Sequence, residues 1–297
     1  MRAGEYSAVL LGGWESPAFW QALFLARRLH IRSVGFYEST LRTNRFRRGP
    51  ISWARAWFFR RLDGVVVPGE AAEQAVLAMG VNPSNIYVGF NAIDVSRFHL
   101  ESSQRRETTA QVAEIGHRFI YVGQLIPRKN LTAMMEAFAR MREPSDQLTI
   151  LGSGESESEL KALGASLKIL PQLTFLGDLP NSEIPALLAS QDTLILVSIE
   201  EVWGLVINEA LASGIHVVVS DVSGVAASVA RMTGVFICGI QPDAIEGAMR
   251  RSKEGWKGPI FNPEILTHTP VAFAEVFAIA LHVEQGSTAT KAESKLG

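Results

Sequence analysis

The segment SIEEVWGLVINEALASGI (198–215) puts Glu200 and Glu201 at the end of an apolar run and a third carboxylate, Glu209, inside the apolar stretch that follows, with Gly204 between. Upstream, GQLIPRKN (123–130) carries Lys129 where a helical pattern begins, and GSGES (152–156) forms a glycine turn, Gly152-Ser153-Gly154, after another apolar run. A lysine, a turn whose backbone amides approach an anion closely, and a helix N-terminus opened by glycine together suit a diphosphate. A carboxylate one turn into that helix suits paired hydrogen bonds from a vicinal diol such as that of a ribose. Each piece also has a plain structural reading. GSG alone is usually a tight turn, Lys129 a solvated helix-start residue, and Glu200–Glu201 a polar loop. Their arrival at the same kind of place, the end of successive apolar runs, favours the chemical reading.

The elements that must position these groups alternate along the whole chain. Unbroken β-rich runs at 8–13, 32–37, 64–69 and 85–90 are separated by helical periodicity at 17–30, about 50–61 and 70–79. A second series has strands predicted at 119–124, 147–152, 173–177, 193–198, 216–220 and 235–238, with helices including 130–141 and 181–191. Continuous apolar strands joined by helices imply parallel sheets covered on both faces, whose ligands bind outside the carboxyl ends of the strands. Six βα units make a complete doubly wound domain. The polar stretch 101–116 is read as a linker, and the tail 284–297 as mobile.

Composition bounds the possibilities. Of 297 residues, 47% are hydrophobic and 20% charged, as in an ordinary globular protein long enough for two domains. The one cysteine, Cys238, excludes an intramolecular disulfide and a cysteine zinc site. No apolar run has the length of a membrane span and no signal-peptide pattern opens the chain, so a cytoplasmic location is expected. No Asp-x-Asp pair and no cluster of His and Asp stands out, so no metal and no other cofactor is expected. The net charge of −2 divides into +5 for residues 1–100 and −7 for 101–297, which suggests domains with different partners. Much of the positive charge lies in LRTNRFRRGPISWARAWFFRRL (41–62), with seven arginines, no acid, and Trp53, Trp57, Phe58 and Phe59. That strip reads either as an interfacial surface for anionic lipid, peripheral on the inner face of a membrane, or as a core helix with solvated arginines. Neither the charge balance nor any motif supports a nucleic-acid partner.

Taken in order, these segments resemble a known family. Residues 118–250 are similar to the C-terminal, nucleotide-sugar-binding domain of retaining GT-B glycosyltransferases of family four, the group 1 glycosyl transferases. VSIEEVWGLVINEALASG matches their Glu-x7-Glu segment through Glu201 and Glu209, and YVGQLIPRKNLTAMMEAF matches their phosphate-binding segment through Lys129. FFRRLDGVVVPGEAAEQAVLAMGVNPSNIYVGFNAIDVSRF resembles the end of their acceptor domain. The resemblance implies an α/β fold of two doubly wound Rossmann-like domains, the N-terminal one incomplete. Its divisions are 1–100 on the acceptor side, a linker at 101–117, the donor domain at 118–255, and a helical segment with the tail at 256–297. It also implies metal-independent transfer of a hexose from a nucleotide sugar, with retention, to a saccharide or lipid-linked acceptor. Glu201 and Lys129 are the implied catalytic residues. The implied binding set is Gln124, Lys129, Gly152, Ser153, Gly154, Leu179, Glu201, Gly204, Leu205, Val206 and Glu209, in which Glu209 holds the ribose and the Gly204–Val206 backbone caps the diphosphate.

The chain also departs from the pattern. Gln124 stands where the family usually has an arginine, Tyr37-Glu38 where a strand-end histidine is frequent, and His216 where a proline is frequent. SDVSGVAASV (220–229) lacks a glutamate that often follows the glycine pair. By the resemblance, the chain is expected to start about three strands late, without the first strands and the glycine loop that would close over the donor phosphates. From this follow the expectation of donor binding with slow turnover and the rival readings of a nucleotide-sugar-binding fragment, a pseudoenzyme, or one half of a split glycosyltransferase. An epimerase or phosphorylase has no supporting signal.

Overall fold

The computed structural model describes residues 6–108 and 116–282, and the chain divides into two compact units, Met1–Phe90 with Val271–Gly297, and Asn91–Pro270. In the first unit β1 (Ala8–Leu11), α1 (Pro17–Arg28), β2 (Arg32–Phe36), α2 (Pro50–Phe59), β3 (Gly64–Pro68), α3 (Gly69–Ala78) and β4 (Ile86–Gly89) follow one another. Their sheet is parallel, in the order β1-β2-β3-β4. Crossovers between parallel strands are right-handed, so a monotonic order sends every connecting helix to the same face. The valines of β3 show the result: Val65 and Val67 join Leu23, Phe58, Phe59 and Val76 in a core with α1–α3, while Val66 points the other way with Val34.

The second unit runs α4 (Val95–Thr108), β5 (Arg118–Val122), α5 (Leu131–Met141), β6 (Gln147–Leu151), α6 (Glu157–Ser166), β7 (Leu173–Gly177), α7 (Ile184–Ala189), β8 (Thr193–Leu196), α8 (Leu205–Ala212), β9 (His216–Ser220), α9 (Ala226–Val229), β10 (Val235–Cys238) and α10 (Pro242–Gly255). All six strands are parallel, in the order β10-β9-β8-β5-β6-β7. The order reverses at β5, so helices cover both faces. α5 packs with α6 and α10, and α4 with α7 and α8. The inner strands β8 and β9 are buried throughout, whereas the edge strand β7 exposes Thr174 and Leu176.

Two assignments from the sequence need correction. Residues 101–108 are not linker but the second half of α4, docked through polar groups: Ser102 Oγ donates to Pro185 O and to Ser213 Oγ, each at 3.0 Å, and Arg106 reaches Ala189 O at 3.2 Å and Ser213 O at 2.6 Å. The C-terminal segment is not one piece either. Residues 256–270 belong to the second unit, whereas α11 (Pro270–Leu281) packs on the first, its Phe273, Val276, Phe277 and Leu281 covering Val34 and Val66. The rest of the expected linker, 109–115, and the tail at 284–297 lie outside the described residues.

Candidate functional site

The reversal of strand order puts the switch point of the second unit between β5 and β8, where open parallel sheets take their ligands. The loop after β5 carries Gln124 and Lys129, and the loop after β8 carries Glu200 and Glu201. Backbone and side-chain bonds lock the two loops together: Ile199 N–H donates to Arg128 O at 2.9 Å. Asn130, held at φ 59°, donates through Nδ2 to Val197 O at 3.1 Å and to Ile240 O at 2.9 Å. Within this frame the Lys129 ammonium donates to Glu201 Oε2, and the two side chains are only 12% and 13% exposed. Ser198 Oγ donates to the same carboxylate oxygen at 3.3 Å, and Gly224 N–H holds the Glu201 carbonyl at 3.1 Å. Beside them Tyr121 donates to Gln124 O at 2.8 Å. Its phenol is held well above the usual tyrosine range, first by burial and then by the Glu201 carboxylate. The Gln124 side chain is exposed on the rim, and so is Glu200.

The glycine turn also serves the packing of the loops. The Gly152 amide donates to Gly177 O at 2.7 Å, so it is not open to an anion. A Cβ on Gly152 would meet Gly123 O at 2.0 Å, and one on Gly154 would meet Leu125 O at 2.4 Å. These glycines let the loops after β5, β6 and β7 pack in backbone contact, reinforced by Leu125 N–H to Ser153 O at 2.8 Å. Ser153 Oγ donates to Asp178 at 2.6 Å, next to the half-buried Leu179.

At Gly204 the chain takes φ 96° and turns into α8. A Cβ there would sit 2.6 Å from Leu196 Cδ2, so only glycine permits the turn without displacing the strand end. The amides of Leu205 and Val206, in the first turn of α8, have no intrahelical acceptor. One turn on, Glu209 is half-buried. Burial raises its carboxyl above the ordinary range, and the positive charge of Arg97 partly offsets this. No hydrogen bond reaches its carboxylate from the described residues, which leaves both oxygens available as acceptors. The structure thus joins Lys129 to Glu201 and brings the glycine loops together, but it makes no bond between that group and Glu209.

Sequence reasoning passed over Asn130, Ser198, Tyr121, Arg97 and Asn208. Asn208 is fully buried, accepts from Trp203 Nε1 at 3.3 Å and donates to Asn91 O at 2.7 Å. The available signal was an amide inside the apolar run LVINEALA. Among the described residues no three His, Cys, Asp or Glu side chains converge as a metal site, and no helix is long and apolar enough to cross a membrane.

Two parallel Rossmann-like units, one of them doubly wound with its charged groups at the switch point, define the GT-B class of fold. Residues 107–257 match the model of "Glycosyl transferases group 1", and residues 6–97 that of "Glycosyltransferase Family 4". The chain belongs to the group 1 glycosyl transferases. Among its relatives is a glycogen synthase of Mycobacterium tuberculosis, 29% identical over 184 residues that cover 61% of this chain and 43% of that protein. The solved structure of the lipopolysaccharide outer core galactosyltransferase WaaB is similar at a TM-score of 0.76 and 17% identity, over 93% of this chain and 75% of that one. Anabaena Alr3699/HepE in complex with UDP is similar at 0.66 and 17%, over 94% and 75%. The matched chain spans about half the length, or less, of the sequence relatives.

Proposed function

We propose that the protein transfers a hexose from a nucleotide sugar to a saccharide or lipid-linked acceptor, with retention and without a metal. The observation that carries this reading is the Lys129–Glu201 pair at the switch point, beside the open amides of α8. Departure of a nucleoside diphosphate concentrates negative charge on the leaving oxygens. Groups already aimed at that charge lower the barrier most. Lys129 and the Leu205 and Val206 amides supply such groups, Glu201 orients the sugar, and Glu209 takes the two ribose hydroxyls. Gln124 adds a neutral contact on the exposed rim; Gly152, Ser153, Gly154 and Leu179 shape it. The related fold that carries UDP makes UDP the first nucleotide to try. The exposed Leu41, Phe46, Ile51 and Trp53 lie among Arg42, Arg45, Arg47 and Arg48, which supports an anionic membrane face as a second partner of a peripheral, cytoplasmic protein.

Calorimetry with UDP, GDP and ADP in EDTA tests the site. One of them should bind, and Glu209→Ala should weaken it by about 1.5–3 kcal/mol, as expected for hydrogen bonds to a charged acceptor. NMR of the product from the matching nucleotide sugar should then show the donor's anomeric configuration. Absence of binding for all three nucleotides, with the fold intact by circular dichroism, would overturn the proposal.

A further inference from the structure

Arg55, in the middle of α2, is 7% exposed, and no acid lies within ion-pair distance of it among the described residues. Its Nη2 donates to the carbonyl of Phe46 at 2.9 Å, and its guanidinium lies 5.9 Å from the centre of the Trp14 ring. Its Nε is buried with no hydrogen-bond partner. Helical side chains lean toward the helix N-terminus, and α2 begins at the carboxyl end of the first unit's sheet. The head group is therefore carried to the rim made by the loops after β1 and β2. There Tyr37, also buried, donates to Asn44 Oδ1 at 2.6 Å. Between Glu38 and Arg55 the sequence holds four further arginines and no acid. Arg42, Arg45, Arg47 and Arg48 are exposed.

A buried cation with no counter-ion is a costly arrangement, and an orphaned buried donor in a fold calls for a cause. Nε and Nη2 form the edge of a guanidinium that binds two oxygens side by side. One of these donors faces a neutral carbonyl and the other faces no acceptor. We infer that Arg55 is the anchor of an anion subsite, flanked by Tyr37–Asn44 and fed by the loop arginines, that takes a phosphoryl group of the acceptor substrate. This rests on the glycosyltransferase reading and adds the chemical class of the acceptor. A phosphoryl oxygen displaces the Phe46 carbonyl from Nη2, a second satisfies Nε, and both bonds become charge-assisted. The phosphoryl group belongs either to a soluble phosphorylated saccharide or to a lipid-linked one.

The full chain is titrated with inorganic phosphate and with glycerol 3-phosphate in saturating UDP, so that the diphosphate site is already filled. Sedimentation with phosphatidylcholine vesicles, with and without phosphatidic acid, distinguishes the lipid source. Saturable phosphate binding is expected, reduced at least tenfold in Arg55→Gln with UDP binding unchanged. Arg55→Lys, which keeps the charge but not the two-pronged edge, should lose at least fivefold and carries the test if the glutamine variant does not fold. Arg55-dependent binding to soluble phosphate alone assigns a soluble acceptor; Arg55-dependent binding to phosphatidic acid vesicles as well assigns a lipid-linked one. Absence of saturable phosphate binding in a wild type that binds UDP, or unchanged affinity in folded Arg55→Gln and Arg55→Lys, overturns the subsite. Failure of UDP binding strikes the donor-site reading instead.

Discussion

Lys129 and Glu201 stand 72 residues apart, and the sequence offers each by itself as a candidate ligand group. What the sequence does not show is that they face each other. Their ion pair is mostly buried, where the attraction is less screened than at the surface. In the proposed reading, a diphosphate approaching Lys129 competes with Glu201 for the ammonium. The two residues should therefore respond oppositely to substitution. Lys129→Ala removes the cation and leaves a carboxylate unpaired, so UDP binding should weaken about 10- to 100-fold, the range for a lost charged hydrogen bond. Glu201→Gln keeps the shape and removes the competitor. UDP should bind as tightly or up to about tenfold more tightly, while sugar transfer falls about 10²- to 10³-fold, as when one preorganised group is lost. Calorimetry and product assays on both variants check this. Equal weakening of UDP binding in both would show that the pair acts as a scaffold rather than as two ligand groups.

At the scale of elements, the ten strands of the described residues were readable because they are short runs rich in apolar residues, with valine triplets in β3 and β9, and their ends in the structure differ from the predicted ones by two residues at most. α4 was not readable. It buries Val95, Phe98 and Ser102 only, and it docks through a hydroxyl and a guanidinium that cap carbonyls, so hydrophobic periodicity carries little trace of it. The amino ends of β5 and β8 hold another arrangement that no motif announces. His117 Nε2 lies 2.8 Å from Thr193 Oγ1, which lies 2.8 Å from Ser252 Oγ on α10, and His216 Nδ1 is 3.1 Å from Ser252 O. Burial pushes the His117 imidazole down to about 4, against the raising effect of Asp192 and Asp146, and burial also lowers that of His216. A histidine depressed by folding binds fewer protons in the native state than in the unfolded chain. Its contribution is whole above the unfolded value of about 6.5 and is lost as the pH falls through that value toward 4. At about 1.4 kcal/mol per pH unit, His117 alone accounts for a loss on the order of 3 kcal/mol. Melting curves from pH 7 to 4 should slope accordingly, and His117→Gln should flatten the slope. An unchanged slope in that variant would place the acid sensitivity elsewhere.

For the whole molecule, the first unit is not continuous in sequence. Its monotonic sheet leaves one face without a connecting helix, and α11 covers that face after the chain has completed the second unit. The contacts are specific: Arg32 Nε donates to Ala280 O at 2.6 Å, Phe36 packs against Phe277 at 5.6 Å, and a Cβ on Gly89 would lie 2.5 Å from the Phe273 ring. α11 itself is almost wholly apolar, PVAFAEVFAIAL, so its being a helix was predictable; its docking partner was not, because no local pattern encodes a contact some two hundred residues away. The consequence is a division of stability. Phe273→Ala with Phe277→Ala removes two half-buried rings from the first unit, at about 2–3 kcal/mol each by the usual cost of burying and then deleting such a side chain. Hydrogen exchange in the full chain should then speed up in β2, β3 and β4, while β5, β8 and β9 keep their protection. UDP affinity, which the proposed function assigns to groups in the second unit, should stay within about twofold, well under the tenfold that 1.4 kcal/mol represents. Uniform loss of protection across both sheets would show instead that the two units unfold as one, and that the donor site draws its stability from the returning helix as well.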